Sequence, residues 1–232
     1  DDDNEDDNEP TYHFYFASNG KKTVSTEKTI GNVKYTFDDR GVAQDSWVHN
    51  SDKGTWKYYG DEEEPKLHTG WFEAVPSKEL NSDDHENGTT HWYYANSKGE
   101  ITIPTADGEV GVVKTIDGKS YLFNSDGEMV TGLRILTYDG SKITNISSEV
   151  DTADTVKNMN SDTMKLVYFE SNGAAKTGTT TITLDGTSYT FSFKSNGSPR
   201  GVGETGISDG YIYQNGLRLT ADEDTKYGVV TY

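Results

Sequence analysis

Residues 91–99 read HWYYANSKG, an aromatic run followed by four turn-forming residues that end in glycine. The same aromatic run opens at TWKYY (55–59), and TGWF (69–72) supplies the short run that closes it. Three of the four tryptophans, Trp56, Trp71 and Trp92, lie between residues 55 and 105, with Trp47 just upstream. Working outward from the turn glycine, weaker copies appear as HFYFASNGKKTV (13–24), KYTFDDRGVAQDSW (34–47), SYLFNSDGEMVTGL (120–133), LVYFESNGAAKTGT (166–179), TFSFKSNG (190–197) and DGYIYQNGLRL (209–219). With the two tryptophan-rich units this makes eight copies. Where nothing intervenes their glycines fall about 19 to 28 residues apart, a spacing typical of solenoid repeats.

Each copy predicts a β-hairpin. Phe14 and Phe16, Tyr35 and Phe37, Tyr121 and Phe123, and Phe191 and Phe193 fall two apart, the period of a strand with one buried face. Asn-Gly, Asp-Gly and Lys-Gly at the turn accept the positive φ that a tight hairpin demands. The second arm is short and polar, as in Lys21–Val24 and Glu128–Thr131. A lone hairpin is marginal in water, so the copies must stack. The expected fold class is therefore all-β, an elongated β-hairpin solenoid of about eight stacked repeats with polar insertions.

Residues 1–10 read as an acidic linker or tail, 11–137 as N-terminal repeats, 138–164 as a polar insertion and 165–232 as C-terminal repeats. Residues 60–69, 73–90 and 138–164 break the rhythm with Asp, Glu, Asn, Ser and Thr, and predict exposed loops or small excursions. One or two helical turns are expected over 148–160. The closing GVVTY (228–232) reads as a capping strand or the start of another copy.

Composition fits such an architecture. Hydrophobic residues make up only 31% of the chain while aromatics reach 12%, with 15 tyrosines among them. A chain poor in aliphatics and rich in Tyr carries much half-buried aromatic surface, as repeat units do when they bury only the faces touching their neighbours. The net charge is −18, and the opening DDDNEDDNE contributes seven carboxylates, leaving −11 over residues 10–232. A charge of that sign argues against nucleic acid and anionic membrane as partners. The acidic opening lacks the turn Gly and terminal Glu of an EF-hand loop and reads as solvated linker. Without cysteine, disulfides, thiolate metal sites and a cysteine nucleophile are excluded. No run of 18 apolar residues occurs, so no membrane span is expected. No signal peptide is present either, and so abrupt an acidic start suggests a chain that begins mid-protein.

Catalysis finds little support. The carboxylates gather in polar loops (Glu62, Glu63 and Glu64; Asp83 and Asp84), the usual mark of solvated surface. His85 and His91 are six apart, which is not a helical metal spacing, while His68 and His91 flank tryptophans and are expected to pack or hydrogen-bond there. No nucleophile elbow, phosphate-cradling loop or dinucleotide fingerprint occurs. A paired-carboxylate glycosidase site stays open on sequence alone. The expectation is a non-enzymatic chain with no catalytic residue, no metal and no cofactor.

The unit resembles the cell-wall-binding repeat of choline-binding proteins, glucan-binding domains and clostridial toxin repeats. That pattern runs aromatic-Tyr-Tyr, a four-residue turn ending in Gly, and a short arm closing on Thr-Gly-Trp. Residues 120–133 match from Tyr121 through Thr131-Gly132, with Leu133 in place of the closing Trp; residues 92–99 match the first half, and 165–178 match with Thr179 at the closing place. The resemblance covers nearly all of residues 12–219 and implies a secreted or surface protein of a Gram-positive-type bacterium. The implied partner is a cell-wall polymer (teichoic acid or a choline-like group) or a glucan or glycan, with a functional domain upstream of residue 1 as a further expectation. It also implies ligand sites between consecutive hairpins. Carried over, Trp47 takes a closing slot, Trp56 the next opening slot, and Tyr58 and Trp71 complete a cage. A second cage uses Trp71, Trp92 and Tyr94, although Thr105 stands where its closing Trp belongs and the 18-residue insertion between Phe72 and His91 is expected to push Trp71 away from Trp92. Ser120, Leu133, Leu166, Thr179 and Thr190 fill the remaining slots, so no cage is expected there.

The rings have a chemistry of their own. Trp and Tyr faces attract quaternary ammonium groups by about 0.5–2 kcal/mol per ring, and flat faces pack against sugar rings. The same tryptophans serve equally as hydrophobic staples between hairpins, the role expected of Phe16, Phe37, Phe123 and Phe169. Three readings follow: a wall- or glucan-binding module, a structural stalk or adhesin rod with no small ligand, and a toxin-like repeat for host glycans.

Overall fold

The computed structural model describes residues 10–196 and 200–221. The acidic opening, the turn glycine expected at 197 and the GVVTY segment lie outside the described residues. The chain divides into two units, Asp1–Thr102 and Ile103–Tyr232. Both are built of antiparallel strands.

The first unit holds three two-stranded sheets. They are β1 (Thr26–Ile30) with β2 (Val33–Phe37), β3 (Trp47–Asn50) with β4 (Thr55–Tyr58), and β5 (Gly70–Ala74) with β6 (His91–Ala95). A short helix, α1 (Ser82–Asn87), lies between β5 and β6. Asn81 caps its first turn, and Gly88, with φ of 65°, ends it.

The second unit begins with β7 (Gly111–Ile116), β8 (Lys119–Asn124), β9 (Gly132–Asp139) and β10 (Lys142–Ile146). Helix α2 (Ala153–Lys157) and β11 (Met164–Phe169) follow, and the sheet order is β11-β9-β10-β7-β8. A second five-stranded sheet, ordered β12-β13-β16-β15-β14, uses β12 (Gly178–Leu184), β13 (Thr187–Phe193), β14 (Gly206–Ser208), β15 (Tyr211–Gln214) and β16 (Leu217–Arg218). Strands β9 and β11 are buried on both faces. Leu133, Ile135 and Leu166 join one core with Phe191, Phe193 and Leu217, while Leu136, Val167 and Phe169 join another with Leu122 and Ile143.

The repeat is visible bond by bond. Five turns have one geometry, Ala17–Gly20, Asp38–Gly41, Asn96–Gly99, Asn124–Gly127 and Glu170–Gly173. In each, the glycine N–H bonds the carbonyl of the first turn residue, and the glycine φ falls between 78° and 80°. That left-handed conformation is why glycine is required there. After the turn the chain doubles back on the aromatic arm, and the same closing bond forms in seven copies. Carbonyls of Tyr15, Thr36, Tyr58, Tyr94, Leu122, Tyr168 and Ser192 accept from Thr23, Gln44, His68, Thr102, Val130, Lys176 and Glu204 at 2.7 to 2.9 Å. The copy at 209–219 closes differently, by the two-residue turn Asn215-Gly216.

Neighbouring copies are tied by a second recurring bond. The amides of Ala43, Leu67 and Ile101 donate across a seam to the carbonyls of His13, Lys34 and Trp56. In the second unit Ala175 and Gly203 donate to Ser120 and Leu166, all five at 2.8 to 3.0 Å. Every acceptor lies three residues before the aromatic that ends its arm, here called the anchor (Phe16, Phe37, Tyr59, Phe123, Phe169).

Two expectations need correction. The arm after the glycine turn is not a strand but a single bridge, as in Phe37↔Ala43 or Phe169↔Ala175. The longer ladders form across the other connection, where the closing strand of one copy pairs with the aromatic strand of the next through two-residue turns such as Asp117-Gly118 and Asp185-Gly186. Both residues of those turns have positive φ, the geometry that matches strand twist. The stretch 138–164 is likewise not an exposed loop. It supplies β10 and α2, and Ile143, Val150, Ala153 and Val156 are buried because they complete the faces of β9 and β11. Within 60–69, Pro65 and Leu67 are buried, since Leu67 packs against the Gly99 turn.

Candidate aromatic ligand site

The cage expected from Trp47, Trp56, Tyr58 and Trp71 is only partly assembled. In the β3–β4 hairpin Trp47 pairs with Tyr58 and His49 with Trp56, so all four rings share one face. Trp47 and Tyr58 lie 4.9 Å apart, centroid to centroid. Trp56 stacks on His49 at 4.3 Å with the planes 5° apart, and is buried. It belongs to the ribbon, one pair away from the Trp47–Tyr58 pair.

Trp71 is on the wrong side of its strand. Successive residues of a strand face opposite ways, so β5 presents Phe72 to Trp47 and Tyr58 and turns Trp71 away. Phe72 stacks on Tyr58 at 5.4 Å and 7°, and lies 6.1 Å from Trp47. Its cross-strand partner Tyr93 meets Trp47 edge-on at 4.9 Å. His68 completes the group, 5.1 Å from Tyr58 and 5.2 Å from Phe72. Phe72 and Tyr93 are buried, whereas Trp47, Tyr58 and His68 are half-buried and keep part of each ring against solvent. The Trp47 indole Nε1–H donates to the Val75 carbonyl at 2.8 Å, which fixes its plane.

Local electrostatics keep this group uncharged and its surroundings acidic. Burial, with the Asp61 carboxylate adding to it, raises the Tyr58 hydroxyl above its ordinary value. Burial, then the Lys66 ammonium, lowers His68 below its ordinary value of 6.5, against opposing pulls from Glu64 and Asp61. At neutral pH the cluster is therefore five neutral rings beside a carboxylate, an environment that suits a soft cation or a sugar face.

Trp71, Trp92 and Tyr94 share the opposite face of β5–β6. Trp71 stands directly across from Tyr94, their rings 5.1 Å apart and nearly perpendicular. Trp92 faces Glu73 in the register and is 45% exposed. The insertion after Phe72 does not separate Trp71 from Trp92, because it lies between the two arms of one hairpin and leaves their pairing intact. Sequence reasoning missed Phe72 and Tyr93. Strand parity was the signal available for them, but it required knowing which face of β5 meets β3–β4.

No protein-family model and no curated protein matches the chain. Solved structures do. Choline binding protein F from Streptococcus pneumoniae (crystal form II) is 18% identical over 89% of this chain and 54% of that one, with a TM-score of 0.53. The same protein in the presence of a peptidoglycan analogue (tetrasaccharide-pentapeptide) is 20% identical over 87% and 48%, TM-score 0.51. The choline binding domain of Spr1274 from Streptococcus pneumoniae is 25% identical over 47% of this chain and 95% of that one, TM-score 0.30. At these identities the first two comparisons concern the fold, and this chain spans about half the length of that protein.

Proposed function

We propose that this chain, which has the fold of choline-binding repeat proteins, is a non-catalytic module that binds a cell-wall polymer at the surface of the cell that secretes it. The ligand in this reading is a choline-like ammonium group or a glycan face, held against Trp47 and Tyr58. A second contact of the same kind is assigned to the Trp71, Trp92 and Tyr94 face.

The observation that carries the reading is the pairing of two half-buried rings with an acidic neighbour, Trp47 and Tyr58 beside Asp61. A staple with no ligand role would be buried on all sides, as Phe123, Phe169 and Phe193 are. Buried Phe72 and Tyr93 then act as the floor that holds the outer rings in place, so floor and ligand contact are separate roles within one cluster.

Tryptophan emission tests this directly. Titration with choline, then with dextran and with wall preparations, is expected to give saturable quenching with at least one of them. Trp47→Ala removes the contact, and its affinity falls by about tenfold, the loss of roughly one cation–π contact with its desolvation. No response to any of the three ligands points instead to a stalk that binds nothing small.

A further inference from the structure

We infer that the second unit carries an anion-binding notch, repeated at two successive seams, suited to the phosphate groups of a phosphodiester polymer. This goes beyond the aromatic reading, because it uses none of the rings of the first unit.

Beside a cavity of about 220 Å³ lined by Lys194, Glu204 and Thr205, the second unit has two, of about 170 Å³ and about 470 Å³, at successive seams. Their walls occupy equivalent places in successive copies. Lys119 and Lys165 each stand four residues before the anchors Phe123 and Phe169. The seam bonds Ala175 to Ser120 and Gly203 to Leu166 form the floors. Thr177 and Thr205 follow two residues after those donors and line the same walls. One seam geometry has thus produced one notch twice.

The contrast with the first unit gives the notch its chemistry. There the place four residues before the anchor holds Tyr12, Val33 and Thr55, and His91 holds it in the copy whose arm ends at Ala95, with no lysine among them. Ser120 and Leu166, in turn, stand where the first unit has His13, Lys34, Trp56 and Trp92, so the two indoles have no counterpart at these seams.

The charge count supports an anion. The second unit has 11 Lys and Arg against 17 Asp and Glu. Five of those eleven cations line the notches: Lys119, Lys176 and Arg200 in the first, Lys165 and Lys194 in the second. The carboxylates there are Glu170, which Lys176 already meets at 3.2 Å, and Asp162. In the second notch Lys194 occupies the place that Glu170 holds in the first. A net positive charge survives in each, inside a protein of −18.

Several of the cations are held in position. The Lys165 Nζ donates to the Ser161 carbonyl at 2.6 Å, and the Arg200 Nε donates to the Ser195 carbonyl at 3.1 Å. Point charges arriving from two sides, an Arg fork and a threonine hydroxyl meet a tetrahedral phosphate better than a planar carboxylate. Two such notches along one chain favour a polymer over a single ion, since the second contact is made intramolecularly.

The test uses the full chain and calorimetric titration at low salt with inorganic phosphate, with poly(glycerol phosphate), and with polygalacturonate as a carboxylate polymer. The phosphate polymer is expected to bind more tightly than either, and less tightly as salt rises. Lys119→Gln with Lys165→Gln should weaken it by at least about tenfold, while Lys142→Gln with Lys157→Gln, which removes the same charge elsewhere in the unit, changes it less than about twofold. Amide shifts of Ala175 and Gly203 on adding phosphate report the notch floors without any substitution. Choline quenching of tryptophan emission is expected to survive Lys119→Gln with Lys165→Gln, so failure of one site is distinguishable from failure of the other. Equal weakening by both lysine pairs, tighter binding of polygalacturonate, or no polymer binding at low salt would overturn the proposal.

Discussion

At Gly203 a single hydrogen decides whether two copies can meet. A Cβ built there would sit 2.5 Å from the Asn215 carbonyl oxygen and 2.6 Å from its carbon, both backbone atoms with no rotamer to escape into. Gly203→Ala is expected to lose about 1–3 kcal/mol, the range for overpacking at a close backbone approach, read as a lower urea midpoint. Gly186→Ala is a control for turn conformation alone, since its φ is 72° but nothing lies within 4 Å. His68 acts through protons. Its folded value lies below the unfolded one, so the unfolded chain binds more protons and stability rises with pH. The His68 contribution is fully present above the ordinary value of 6.5 and is lost as pH falls from there to the lower folded value. His68→Phe should flatten that part of the stability–pH curve, and an unchanged slope would remove the assignment.

At the scale of elements, α2 is five residues long and would not persist alone. Thr152 caps it by accepting from Thr155, and its two buried residues, Ala153 and Val156, close the core formed by Leu133, Leu166 and Phe191. Val156 is fully buried, so Val156→Ala should destabilise the second unit by about 1–3 kcal/mol through the cavity it leaves, measured as a lower far-ultraviolet melting midpoint. A loss under a few tenths of a kcal/mol would show that the segment is the loop its composition suggests. The hairpins offer a parallel case. Alternating rings marked the aromatic strands, and the turn glycines marked the copies. The pairing partner went unread, because a short polar arm after a turn looks the same whether it forms a ladder or a single bridge.

Across the molecule the two units have diverged in what fills the repeat. All four tryptophans lie in the first unit, which has 10 Lys and Arg against 22 Asp and Glu. The second unit has no tryptophan, a smaller acidic excess, and lysine-lined cavities at two successive seams. The closing bond of seven copies and the five seam bonds are of the same kind in both units. A scaffold defined by backbone bonds leaves its seam side chains free to change, so cation-seeking and anion-seeking seams can occur in one chain. Among the described residues no helix is long and apolar enough to cross a membrane.

The sequence by itself determined the all-β class, the places of the turn glycines and which rings belong to the repeat. Those are local properties, set by strand period and by the φ that glycine alone adopts easily. The tertiary structure alone decided which rings meet. Trp71 and Phe72 are adjacent in sequence and point opposite ways, and only the stacking of one hairpin on the next selects Phe72 for the cluster with Trp47 and Tyr58. The equivalence of the two notches was hidden for a related reason. Lys119 and Lys165 precede the aligned copies by one residue each, but only the folded seams bring them to one wall with Thr177 and Thr205 from the copy that follows.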